Sequence, residues 1–130
     1  MDLEAILTAV TAKYDGDSIA DTCPLYGVSA PEDAECPYAV WSIPSAMPDW
    51  TFKENFEELT MQISVFTKDR SPLPAMALGK TLTELFDECA LAVTGYTLIR
   101  MSRQPTPPLV DDPDGGWQYI TQYRLELQEA

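Results

Sequence analysis

The sequence predicts an α+β domain, a four-stranded, mainly antiparallel sheet with two helices packed on one face, in the order α-β-β-α-β-β. Two segments, one at the N-terminus and one in the middle, bring apolar residues back at helical spacing. Two others alternate apolar with polar residues, the pattern of a sheet buried on one side only. Between these segments Pro and Gly gather where the chain must turn. With 130 residues, 45% hydrophobic and 22% charged, residues 1–130 read as one domain with room for a real core.

The first helix runs from Asp2 to about Tyr14, with Leu3, Ile6, Leu7, Val10 and Tyr14 on one stripe and Asp2 and Glu4 at its positive end. From Asp15 to Pro37 the text is a connector, broken by Gly16, Pro24, Gly27 and Pro31. A first strand spans Tyr38 to about Ser45, bounded by Pro37 and Pro44. A loop containing Pro48, Trp50 and Phe52 follows. In Glu57 to Thr67, Leu59, Met61, Ile63 and Val65 alternate with Glu58, Thr60, Gln62 and Ser64, giving a second strand. The second helix covers about Ser71 to Val93, with Met76, Gly79, Leu82, Phe86, Cys89 and Val93 on its apolar stripe. Gly79 there implies close packing on the sheet, and Gly95 a helix stop. A third strand runs from Tyr96 to about Arg103. Asp111 to Gly116 has turn composition, and the last strand spans Trp117 to about Gln128, with Ile120 the one apolar residue on its wet face.

Charge narrows the function. Eight basic residues against twenty-one acidic ones leave a net charge of −13, which repels nucleic-acid phosphates and anionic membranes. Met1-Asp2-Leu3-Glu4 places acids where a secretory leader carries bases, so no leader and no membrane contact are expected. The three cysteines, Cys23, Cys36 and Cys89, make no C-x-x-C pair, which argues against a disulfide framework. Histidine is absent, removing the commonest general base and metal ligand. The acidic tract Asp111-Asp112-Pro113-Asp114 lacks the alternating ligands of a calcium loop. No nucleophile elbow and no Gly-rich phosphate loop occurs. The expectation is a protein with no catalytic residues, cofactor or metal, whose work is contact. Trp50 and Phe52, in a Pro-bounded loop, and Asp111, Asp112 and Asp114 are the candidate interface residues, the alternative for the two aromatics being a loop that folds back and tucks them into the core.

Three tracts then carry a resemblance: Glu58-Leu59-Thr60-Met61-Gln62-Ile63-Ser64-Val65-Phe66, Ala75-Met76-Ala77-Leu78-Gly79-Lys80-Thr81-Leu82, and Pro113-Asp114-Gly115-Gly116-Trp117 leading into Gln122-Tyr123-Arg124-Leu125-Glu126-Leu127. With Pro37-Tyr38-Ala39-Val40-Trp41 they resemble the tail-completion family of long-tailed bacteriophages, the tail terminators or tail-to-head joining proteins. The resemblance implies a virion protein, assembled in the host cytoplasm, that forms a ring of about six copies at the head-proximal end of the tail. Its partners would be copies of itself, the tail tube protein and the head connector or stopper, with DNA passing through unbound. Such a ring would carry about −78, six times −13, and acids lining its bore would let DNA slide. An unpaired sheet edge could add neighbouring chains strand by strand. A small acidic DNA mimic that occupies a basic partner is the alternative, and a metal enzyme using paired carboxylates a third.

Overall fold

The computed structural model describes residues 3–27, 35, 37–48, 56–87, 91–105, 109–112 and 116–129. Along these run α1 (Leu3–Asp15), α2 (Ile19–Thr22), β1 (Leu25–Gly27), β2 (Tyr38–Pro48), β3 (Phe56–Thr67), α3 (Leu73–Phe86), β4 (Tyr96–Gln104), β5 (Leu109–Asp112) and β6 (Gly116–Glu129). One sheet holds every strand in the order β1-β2-β3-β6-β4, and β5 also pairs with β6. Only β1 on β2 is parallel.

The α+β class and both hairpin pairings agree with the sequence reading. β2 lies on β3, β4 lies on β6, and the β3–β6 pairing joins them. The counts do not agree: six strands and three helices occur among the described residues, where four strands and two helices were expected, the short α2 lying in the connector. β1 spans three residues, too few for alternation to show, inside what reads as a connector. β5 is hidden by composition, because Asp111 and Asp112 look like turn residues yet pair with Trp117 and Gly116. β4 and β5 lie end to end along β6. Between Gln104↔Gln122 and Leu109↔Tyr119 the chain advances five positions against three, so two residues are accommodated there. β2 runs on through Pro44 because the register shifts between Ser42 and Ser45, and a bulge tolerates the missing N–H.

Alternation sets the core. Leu59, Met61, Ile63 and Val65 of β3 share a face with Ala39 and Trp41 of β2, Met101 of β4, and Tyr123, Leu125 and Leu127 of β6, all buried. The Trp41 indole N–H reaches the Met61 sulfur at 3.3 Å. Ile6, Val10 and Tyr14 of α1, Ile19 of α2, and Leu82 and Phe86 of α3 close over this face as one cluster. Burying side chains of this size contributes about 1.5–3 kcal/mol each. Gly79 lets α3 approach the sheet closely: a Cβ there would lie 2.4 Å from the Tyr119 ring.

The second helix is shorter than its periodicity implies. It stops at Phe86, with Asp87 extended, and the Asp87 carboxylate accepts from the Tyr123 hydroxyl at 2.8 Å and pairs with Arg103 at 3.6 Å. Leu91 and Val93 are buried from a non-helical segment, so helical spacing there served a connector. Gly95, at φ 85°, makes the turn into β4 and does not stop a helix. Met76, expected on the buried stripe, is 46% exposed. Cys89 lies outside the described residues.

Two glycines test this geometry. An alanine Cβ at Gly116 would meet the Thr67 carbonyl oxygen at 2.0 Å, whereas at Gly95 it would meet nothing within 4 Å. Gly116→Ala is expected to cost about 2–3 kcal/mol, and Gly95→Ala about 1 kcal/mol, for its left-handed backbone alone. Urea unfolding of the two variants measures the difference.

Candidate assembly interface

All three helices cover one face of the sheet, and the side chains of the other face are built by the complementary set of alternating residues. Their pairing places them in rows. Ser42, Gln62, Gln122 and Gln104 form one row, Val40, Ser64 and Ile120 the next, and Tyr38, Phe66, Gln118 and Val110 a third. None of these residues is charged, in a chain where 22% of residues are. Hydrogen bonds stitch the first row together. The Gln122 amide donates to Gln62 at 2.9 Å, and Gln62 donates to Ser64 at 3.0 Å. Aromatic contacts stitch the third. Tyr38 stacks on Phe66 with ring centroids 5.2 Å apart, and Tyr26 of β1 meets Tyr38 edge-on at 6.2 Å.

Among the described side chains of this face, charge appears at its far end, where β3, β6 and β4 bring together Glu58, Arg124, Glu126 and Arg100. Arg124 donates to Glu58 at 2.6 Å, and its Nε lies 3.6 Å from Glu126. The bond to Glu58 chiefly, with the charges of Glu58 and Glu126, raises the Arg124 pKa above its ordinary value, while desolvation opposes it. The pairs leave two acids and two bases, locally neutral.

The outer side of α3 offers a second apolar surface, on the opposite side of the molecule. Leu73 is 67% exposed and Met76 46%, beside the exposed Ala77. Lys68, Asp69 and Arg70 are exposed just before α3, and Lys80 and Glu84 on it, 4.0 Å apart. A cleft of about 500 Å³ lies alongside, lined by Glu35, Pro37, Thr67, Lys68, Asp69, Pro74 and Leu78. No group of three or more potential metal ligands occurs among the described residues. No helix there is long and apolar enough to cross a membrane.

The sequence-chosen interface residues are only partly placed. Trp50, Phe52 and Asp114 lie outside the described residues. Asp111 is exposed on β5, and Asp112 ends that strand. β4 and β5 form one sheet edge, while β1 with the outer part of β2, which holds Pro44 and Pro48, forms the other. Sequence reasoning missed the aromatic row and the start of α3. The available signal was Phe66, Tyr38 and Ile120, apolar side chains on strand positions whose neighbours alternate as polar.

With this geometry the chain can be set beside solved structures. A chain from the virion of a native gene transfer agent particle matches it with a TM-score of 0.74, covering 97% of this chain and 96% of that one, at 12% identity. The bacteriophage SPP1 gp17 protein matches with a TM-score of 0.66, over 94% and 88% of the two chains, at 19% identity. The chain shares its fold with these two chains. No protein-family model matches the sequence, and no curated protein does. Both matches run almost end to end along this chain, which bears out at the level of fold the resemblance carried by the β3, α3 and β6 tracts.

One buried group ties α1 to the chain entering β1. Tyr14 is fully buried and donates its hydroxyl to the Cys23 carbonyl at 2.5 Å. Burial first, then that hydrogen bond, pushes the phenol well above its ordinary range. A folded-state pKa above the unfolded one stabilises fully below about pH 10 and is lost as pH rises beyond it. Tyr14→Phe is therefore expected to cost about 1–3 kcal/mol at neutral pH. Its stability should also fall less steeply than that of the native chain above about pH 10, as read by urea midpoints across the alkaline range.

Proposed function

We propose that this chain is a structural virion protein of the tail-completion kind, which caps the finished tail tube as a ring and joins it to the head connector. The observation that carries the reading is the end-to-end match, 97% of this chain, to a chain of a virion particle. The sequence tracts on β3, α3 and β6 support it independently, because they resemble the tail-completion family without reference to the backbone. The surface is consistent with it as well. An uncharged sheet face suits contact with protein, since burying it leaves no charge to desolvate.

In this reading, copies of the chain, the tail tube protein and the head connector are the partners, and the ring has about six subunits. The acids are carried outside the uncharged face. Glu4, Asp15 and Asp21 are exposed on the helical side, with Asp69 and Glu84 around α3. Acids turned toward the bore would keep DNA moving, because a negative wall releases no counterions from the phosphates. No catalytic group, cofactor or metal is assigned. A DNA mimic requires a continuous row of acids spaced like phosphates, and the open sheet face instead presents three uncharged rows.

Electron microscopy of purified tails with and without the protein tests the reading. The expected result is added density at the head-proximal tail end and recovery of head joining by tails that lack it. Tails that gain no density at any protein concentration would refute it.

A further inference from the structure

We infer that β1 is an edge cap. It occupies backbone of β2 that would otherwise pair with β2 of a second copy, and so keeps free chains from joining through this side of the sheet. The inference does not depend on the ring proposed above.

Three observations carry it. First, the β2 edge carries a run suited to self-pairing. Tyr38-Ala39-Val40-Trp41-Ser42-Ile43 contains no charge, Pro or Gly, and Tyr38, Val40, Trp41 and Ile43 are strong strand formers. Two copies of this run laid antiparallel place no like charges opposite each other, so only the net charge of −13 on the whole chain opposes them. Similar uncharged runs, residues 61–66 of β3 and 117–123 of β6, lie in interior strands with a neighbour on each side. The strand at the opposite edge, β4, carries Arg100 and Arg103 among its apolar residues.

Secondly, β1 lies on the centre of that run. Leu25, Tyr26 and Gly27 pair with Ala39, Val40 and Trp41. The Ala39 N–H donates to the Pro24 carbonyl at 2.8 Å, and the parallel ladder returns the Tyr26 N–H to the Ala39 carbonyl. Just outside the run stand Pro37 and Pro44, which offer no N–H to a neighbour. Short covering strands and prolines are devices that keep sheet edges from pairing between molecules. Thirdly, β1 is explained by what it covers and not by what it buries. Leu25 and Tyr26 are only half-buried and Gly27 is exposed. Three residues supply few ladder bonds, and the fold anchors them from behind. The Tyr14 hydroxyl holds the Cys23 carbonyl at 2.5 Å, and a Cβ on Gly27 would stand 3.4 Å from the Leu7 side chain.

Tyr26→Pro tests the cap, because it removes the N–H that faces β2 and leaves the Tyr14 anchor in place. Tyr26→Ala, which loses the ring and keeps the N–H, is the control. Ser42→Lys added to Tyr26→Pro puts a charge into the run. Sedimentation velocity over a range of concentrations reads association, and near-UV circular dichroism reads the fold. The expected weight-average mass of Tyr26→Pro is roughly twofold or more above that of the native chain at the same concentration. Tyr26→Ala is expected to match the native chain, and the double variant to return to it.

A folded Tyr26→Pro chain of native mass would overturn the inference. Equal association of Tyr26→Ala would assign the effect to the lost ring and overturn it as well. A double variant that still associates would place the contact elsewhere, with the same consequence. Should Tyr26→Pro fail to fold, the native chain and Ser42→Lys alone are compared in urea just below the unfolding midpoint, where sheet edges open locally. Association of the native chain and not of Ser42→Lys supports the cap, and equal behaviour of the two overturns it. None of these outcomes bears on the density expected at the tail end.

Discussion

The pairing of β3 with β6 is the constraint on which the rest of the molecule depends. The two strands run antiparallel from Phe56↔Gln128 to Thr67↔Trp117 without a single register shift, whereas the β2–β3 and β4–β6 pairings each contain one. A slip of one residue in β3 would turn Leu59, Met61, Ile63 and Val65 outward and bring Glu58 and Gln62 into the core. Register, core and open face are therefore one choice. Thr121 shows how strongly it is held: its buried hydroxyl donates to the Ile63 carbonyl at 3.0 Å, across the same pair of strands.

From that ladder the two faces acquire different tasks. The apolar face is spent on α1 and α3, with Gly79 letting α3 settle onto Tyr119 and Asp87 tying its end to Tyr123 and Arg103. On the other face Ser64 is buried, and the other described side chains are half-buried or exposed. This face holds itself together laterally, through the Gln122–Gln62–Ser64 chain at its middle and the Tyr26–Tyr38–Phe66 rings at one end. Satisfied amides and stacked rings make a rigid, uncharged surface that loses little entropy when a partner lands on it. In the proposed ring, the large negative charge would keep copies apart except where such a surface is presented.

What the sequence made legible followed from period. β3 and β6 alternate over many residues, and α1 repeats its stripe through Ile6, Val10 and Tyr14, so their types and faces were readable. β1 is too short to show a period, and the β5 aspartates have the composition of a turn although backbone pairing makes them a strand. The overlong second helix had the same origin. Leu91 and Val93 are apolar because they are buried, and burial alone does not distinguish a helix from a connector. The candidate interface was the least legible part. Loop aromatics drew attention to Trp50 and Phe52, while Tyr38 and Phe66 looked like ordinary strand residues until the sheet order put them side by side. Met76 likewise fitted an apolar stripe, and only the packing of α3 turns it outward.

The central claim is that the ladder exists to present an uncharged face for burial by protein. Hydroxyl-radical footprinting of the free chain and of the chain mounted on tails measures that burial directly. The account expects labelling of Tyr26, Tyr38 and Phe66 to drop sharply on mounting, while the core Tyr123 stays unlabelled in both states. Unchanged labelling of those three rings, with protection appearing elsewhere on the mounted chain, would contradict it.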